Sequence, residues 1–372
     1  MASIRLVCSM IMVLILTPLG VAEDRPDTGI SGVYEVVVGV ADAQKSLKYF
    51  REFGFEQVAT VDLSSKQAKS LYGVESAAKV YRLQNGNVET HGLLRLIEWE
   101  TPLGNGVGYS PPETIGQRIA VMRTKDIFRL HDVFEDMRNE SEIPVFSTQP
   151  VYDDLYDMDE GAYSISTRRV GVREMAVHGE EFNHIFFQRY GYVIPGYGTI
   201  ENADLQTSEI THNDFIIKGD IGEVTQYYED VLGFVSENDP VLDGDWQKGP
   251  QEVFQMTKGT AHWYRGFVSP NNICGKLKFF TARDPEFVRD RSDEQRVGEL
   301  GITMHTLYTP KLEMVHSLAS DHDLKPTKLM KNEFGEESFF FVGPDGSSWQ
   351  ILEEPKLESQ PTTEFKLEKV DN

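Results

Sequence analysis

The sequence predicts an α+β fold in which one unit, a strand followed by an amphipathic helix and further strands, recurs four times. Three observations carry this reading. Two segments read alike, VYEVVVGVADAQKSLKYFREFGF from Val33 and HNDFIIKGDIGEVTQYYEDVLGF from His212; weaker copies start at Gln117 and Met304; and in each the apolar residues switch from strict alternation to helical spacing. The length of 372 residues suits two domains or one doubled architecture. With 59 acidic against 36 basic side chains the formal charge is -23, which repels phosphate backbones and anionic lipid surfaces and argues against a nucleic-acid partner.

The chain opens with Arg5, an apolar run from Leu6 to Leu19 broken by Pro18, and small residues up to Ala22. That layout reads as a secretory signal over residues 1–22, too short for a spanning helix, so the mature chain is expected to be exported, periplasmic or secreted, without stable membrane insertion. Its removal leaves Cys274 as the only cysteine, which excludes an intramolecular disulfide. The Val33 and His212 repeats each run from a strand to a turn acid (Asp42, Asp220), then a helix with an aromatic pair (Tyr49-Phe50, Tyr227-Tyr228), then a helix-ending glycine (Gly54, Gly233). Strand-like stretches from Arg173 to Val177, Phe182 to Arg189, Ser338 to Val342 and Ser348 to Leu352 complete the halves, the last two joined by the turn Gly343-Pro344-Asp345-Gly346. Residues 31–190 and 210–355 read as two domains of two units each, 191–209 as a linker, and 356–372 as a polar tail.

The run from His212 to Phe234, and the Gly-Pro-Asp-Gly turn feeding Ser347-Ser348-Trp349-Gln350-Ile351-Leu352-Glu353-Glu354, resemble the vicinal oxygen chelate superfamily, which groups glyoxalase I, bleomycin-resistance proteins and extradiol dioxygenases. The resemblance spans roughly residues 31–355. It implies four βαβββ modules forming two cup-shaped half-barrels, with ligand or metal held inside a cup by side chains of the first and last strands of its modules.

Strand alternation sorts the inward-facing side chains. Asn213, Phe215 and Ile217 share one face, and His212, Asp214, Ile216 and Lys218 the other; the more apolar face should cover the helix, so His212 points into the cup. The superfamily pattern places a first histidine at His212 or Asn213, a second at His305, and a metal-binding glutamate at Gln350. An amide there supplies a neutral donor and weakens a divalent site, and Glu354 substitutes only with a shifted register. Such a set would take iron, manganese or zinc. In the first half the inward positions are Glu35, Arg118 and His184, with Arg95 on the preceding strand. Guanidinium groups repel a metal and favour an anionic ligand; the plain alternative is an internal Glu35–Arg118 ion pair. His262 and Tyr264 line or rim the second cup.

Three functions remain open. An exported metal enzyme, dioxygenase or glyoxalase/lyase-like, would act on a small oxygen-bearing substrate through His212, His305 and Gln350 or Glu354. A metal-free protein of the bleomycin-resistance kind would bind or sequester a small molecule in the same cup. A structural role would leave both cups filled. Two inward histidines at family positions put the enzyme first.

Overall fold

The computed structural model describes residues 25–140, 145–163, 166–200, 205, 207–243, 253 and 261–355; the expected signal segment and the polar tail lie outside them. Module one comprises β1 (Glu35–Val40), α1 (Ala43–Glu52), β2 (Phe55–Leu63), α2 (Ser65–Tyr72), β3 (Ala78–Asn85) and β4 (Leu93–Trp99). Asp42 starts α1 by accepting the amide hydrogens of Gln44 and Lys45. Helix α2, which the periodicity does not announce, starts with a capping box between Ser64 and Gln67. Module two runs through β5 (Arg118–Thr124), α3 (Ile127–Glu140), β6 (Val145–Ser147), β7 (Val151–Tyr163), β8 (Ser166–Gly179) and β9 (Asn183–Tyr190).

Module three contains β10 (Thr207–Ile216), α4 (Ile221–Val224), α5 (Tyr227–Asp230), β11 (Val235–Ser236), β12 (Val241–Asp243), β13 (His262–Val268) and β14 (Lys276–Ala282). The expected single helix breaks in two at Thr225, whose hydroxyl bonds back to the Ile221 carbonyl and competes with helical continuation. Strand β10 starts inside the expected linker, at Thr207. Module four is β15 (Gly301–Thr309), α6 (Leu312–Asp321), β16 (Met330–Lys331), β17 (Glu337–Val342) and β18 (Ser348–Glu353).

Two curled mixed sheets result, and their composition corrects the expected domains. One sheet has the order β16-β17-β18-β15-β1-β4-β3-β2, the other β11-β13-β14-β10-β5-β9-β8-β6. Module one therefore shares its cup with module four, and module two with module three, so neither 31–190 nor 210–355 closes a cup of its own. The seams are antiparallel, β1 on β15 and β5 on β10. Each module offers the same edge through its first strand, so alternation along the sequence says nothing about which module will take it. The crossovers 100–117 and 283–300 run side by side, Leu103 donating to Gly298 O at 2.8 Å and Ile115 to Arg289 O at 2.9 Å.

The largest core cluster fills the space behind the two concave faces, joining Phe50, Phe53, Phe134, Phe186, Phe215 and Phe279 to Trp349. Trp349 is fully buried, and its indole N–H donates to the hydroxyls of Tyr227 at 2.9 Å and Tyr228 at 3.1 Å. Both hydroxyls donate in turn to Asp345 in the Gly-Pro-Asp-Gly turn, at 3.1 and 2.9 Å. Module three is thereby tied to module four across the sheets. Trp349→Ala is expected to cost about 3–5 kcal/mol of unfolding free energy, and Trp349→Phe about 1–3 kcal/mol through the lost N–H. Urea denaturation followed by far-UV circular dichroism measures both.

Candidate functional site

The cup of modules one and four is closed by its own side chains. Val37, Val80, Ile97 and Met304 on the concave face pack against Ala68, Leu71 and Tyr72 of α2 and against Phe334. Beneath this cover lies Arg95, with no exposed surface. Its guanidinium donates to Glu35, to Glu333 at 3.0 Å and to the Gln350 side-chain oxygen at 2.7 Å. Glu35 also accepts from Arg82 Nε at 2.6 Å and from the Thr306 hydroxyl at 3.0 Å, while Arg82 holds Glu336 with both terminal nitrogens at 2.8 Å. Burial by itself would push the Glu35 carboxyl up, but Arg82 and Arg95 outweigh it and bring it down to about 2. Burial likewise opposes the charge on Arg95, and Glu35 and Glu333 hold that group well above the ordinary arginine range.

The cup of modules two and three is differently furnished. Its floor is apolar, made of Ile119, Val121, Ile185 and Phe187, with Val253 packed on it. On parallel neighbours β10 and β14, Asp214 pairs with Lys278 and His212 with Lys276; on β13, Tyr264 pairs with Phe280 of β14. Asp214 occupies the place in its repeat that Glu35 occupies in the first. It is buried, and its Oδ1 has no hydrogen-bond partner among the described residues. Burial pushes the Asp214 carboxyl up to about 6 against the pull of Lys278. His212 meets the Tyr197 hydroxyl at 2.7 Å through Nδ1 and stacks on that ring. Burial, reinforced by Lys278, Lys276 and Arg189, drives its pKa well below the usual histidine value, so the imidazole is neutral. Arg189 lies 4.9 Å over the Tyr197 ring and donates to the Tyr197 carbonyl.

His212 and His305 do not share a cup. His305 sits on the opposite face of the other sheet, with its ring centroid 4.7 Å from Phe215 and 5.5 Å from Trp349. Phe215 projects from β10 on the face away from His212, so that strand separates the two imidazoles. Both faces of β15 are buried, and hydropathy could not tell which one met the cup. Arg118 also lies behind the sheet, donating to Gln117 O at 3.0 Å and Ser347 Oγ at 3.2 Å, and forms no pair with Glu35. His184 is enclosed by Tyr49, Phe50, Phe182 and Phe186, and burial lowers its pKa to about 3. Glu354 follows the end of β18, its amide bonded to Thr309 O. Glu35, Arg95 and Gln350 meet in the first cup. His212, His262 and Tyr264 share the concave side of the second sheet, where register puts Lys278 beside Asp214.

Alternation had turned Asp214 inward with His212, but Lys278, Tyr197, Arg82 and Glu333 carried no sequence signal of their own. One further buried cluster brings His91, Glu209 and Cys274 together. No helix among the described residues is long and apolar enough to cross a membrane.

No family profile and no curated sequence matches the chain. Solved structures do. A Bacillus subtilis protein described as a dioxygenase is similar at 9% identity over 88% of this chain and 86% of that one, with a TM-score of 0.52. A glyoxalase I variant from Zea mays is similar at 12% identity over 87% and 94% of the two chains, with a TM-score of 0.51. At such identities the likeness is one of fold, and the chain has the vicinal oxygen chelate fold.

The resemblance implies a ligand or a metal inside a cup, and the residues present do not suit a metal there. In the first cup the inward carboxylate, amide and hydroxyl are already bonded to a guanidinium or to each other, and Arg95 supplies the positive charge. In the second, a lysine stands beside the inward carboxylate. Replacing Glu35 with Gln leaves Arg82 and Arg95 short of a buried counter-charge, and Glu35→Gln is expected to cost about 3–5 kcal/mol. The native carboxyl titrates at about 2 against an ordinary 4.5. Its stabilisation is complete above pH 4.5 and is lost as pH falls toward 2, an effect of about 3 kcal/mol. Chemical unfolding at a series of pH values should show this loss in the parent chain and a flatter profile in the variant.

Proposed function

We propose that the chain is a metal-independent small-molecule binding protein acting through the cup of modules two and three. The ligand class is a small hydroxy- or amino-carboxylate. The observation that carries this is the Asp214–Lys278 pair: two opposite charges on adjacent strands, above an apolar floor, with one carboxylate oxygen lacking a partner among the described residues. An ammonium can hold a ligand carboxylate, and the free carboxylate oxygen can accept from the ligand's hydroxyl or amine. The apolar floor takes the carbon skeleton. Lys276 and Arg189, which bias the local field toward positive, favour an anionic guest. Export, read from residues 1–22, belongs to this proposal and is checked by N-terminal sequencing of the mature protein.

A second reading has one observation in its favour. A carboxyl at about 6 is poised for general acid–base work near neutral pH, so Asp214 would move a proton on the bound carboxylate without a metal. Calorimetric titration of a panel of hydroxy- and amino-carboxylates into the purified protein, with its metal content left as isolated, separates the possibilities. Binding that weakens at least tenfold in Lys278→Ala and in Asp214→Asn supports the proposal. Binding that ignores Lys278→Ala refutes it. Turnover of the bound compound that disappears in Asp214→Asn establishes the second reading.

A further inference from the structure

We propose that His91, Glu209 and Cys274 form a structural zinc site separate from the Asp214–Lys278 pair. Their ligating atoms all lie within 4.8 Å of one another, with His91 Nε2 and Glu209 Oε1 at 3.2 Å. Tetrahedral zinc with bonds of about 2.0–2.3 Å sets its ligands about 3.3–3.8 Å apart, so the side chains need only small rotations to close on an ion. The three residues come from separate stretches: the turn between β3 and β4, the third residue of β10, and the turn before β14. All are essentially inaccessible, at 2%, 0% and 5% exposure.

The surroundings orient these groups. His91 turns Nδ1 to the Thr90 hydroxyl at 2.9 Å, which leaves Nε2 facing the cluster. Glu209 accepts amide hydrogens from Gly198 at 2.9 Å and Thr199 at 2.8 Å. Cys274 directs Sγ toward the Thr211 carbonyl at 3.3 Å. The backbone is built for this convergence. Gly92 holds φ at +68°, and a Cβ there would stand 2.3 Å from Ile210 O, so only glycine lets the His91 turn lie against β10. The neighbouring cations Arg123 and Arg189 spend donors on the carbonyls of Gly198 and Tyr197, at 2.8 and 2.7 Å.

The donor set points to zinc rather than magnesium or calcium, because a thiolate and an imidazole suit a borderline-soft ion. Glutamate and cysteine thiolate together cancel two positive charges, so a divalent ion would leave the site neutral. This inference is independent of ligand binding in the cup, and its ligands include none of the residues tested there.

The experiment uses the full chain with Cys8→Ser, which leaves Cys274 as the sole thiol, produced in cobalt-supplemented minimal medium. The expected result is one cobalt per chain, with a near-ultraviolet thiolate-to-cobalt absorption that one equivalent of zinc abolishes. Cys274→Ser should remove that absorption while circular dichroism reports a folded protein. Folded protein lacking the absorption and holding no stoichiometric cobalt or zinc overturns the assignment. So does an absorption that survives in Cys274→Ser. Should that variant fail to fold, the presence or absence of the absorption in the Cys8→Ser protein still decides.

Discussion

A guanidinium removed entirely from water must find its counter-charges inside the protein, and Arg95 finds them in two different modules. Glu35 comes from its own module and Glu333 from module four, while Arg82 of module one reaches Glu336 of module four. Any other pairing of the repeats would leave Arg95 without Glu333 and Arg82 without Glu336, two arginines sharing the single buried charge of Glu35. The nested arrangement, first module with fourth and second with third, is therefore selected by charge as well as by strand edges. The apolar faces alone are interchangeable, since each module carries a strand and a helix of the same kind.

The same arrangement places the two cups back to back around one aromatic core. Phe215 and Phe279 of module three pack with each other, and Phe215 also reaches Trp349 of module four. Trp349, Tyr227, Tyr228 and Asp345 then fix the sheets' relative position through directional bonds, which apolar packing by itself does not supply. The paired crossovers add a second tie at a distance from this junction. The residue that ends module one's α1, Phe53, meets Phe134 of module two's α3 in this core as well.

Much of the fold was legible because local chemistry announces it. Asp42 and Asp220 cap helices, Gly54 and Gly233 end them at positive φ, and the Gly-Pro-Asp-Gly turn joins β17 to β18. What escaped was everything that depends on partners distant in sequence. The pairing of modules rests on Glu333 and Glu336, which lie between strands where no repeating pattern assigns a facing. The facing of His305 was misjudged because β15 is covered on both sides, so its alternation holds while the usual contrast between wet and dry faces vanishes. Helix α2 is eight residues long, too short for periodicity to declare it. His91 and Cys274 lie in turns, where side-chain direction follows from glycine geometry rather than from any repeating pattern.

The equivalent positions Glu35 and Asp214 show how one architecture yields two unlike interiors. Glu35 is met by two arginines and a threonine hydroxyl, both its oxygens are bonded, and its carboxyl is held at about 2. Asp214 meets a single lysine across one strand spacing, keeps an oxygen unpartnered among the described residues, and rises to about 6. Both carboxyls are buried, so desolvation alone does not separate them; the number of compensating donors does. A cup whose acid has both oxygens bonded within the protein has become part of the protein's stability. A cup whose acid is left partly unsatisfied retains the free energy that a complementary small molecule would gain by supplying the missing bond. Repetition of the module thus permits specialisation: once one interior anchors the assembly, the other is released from that duty and can remain responsive to a guest.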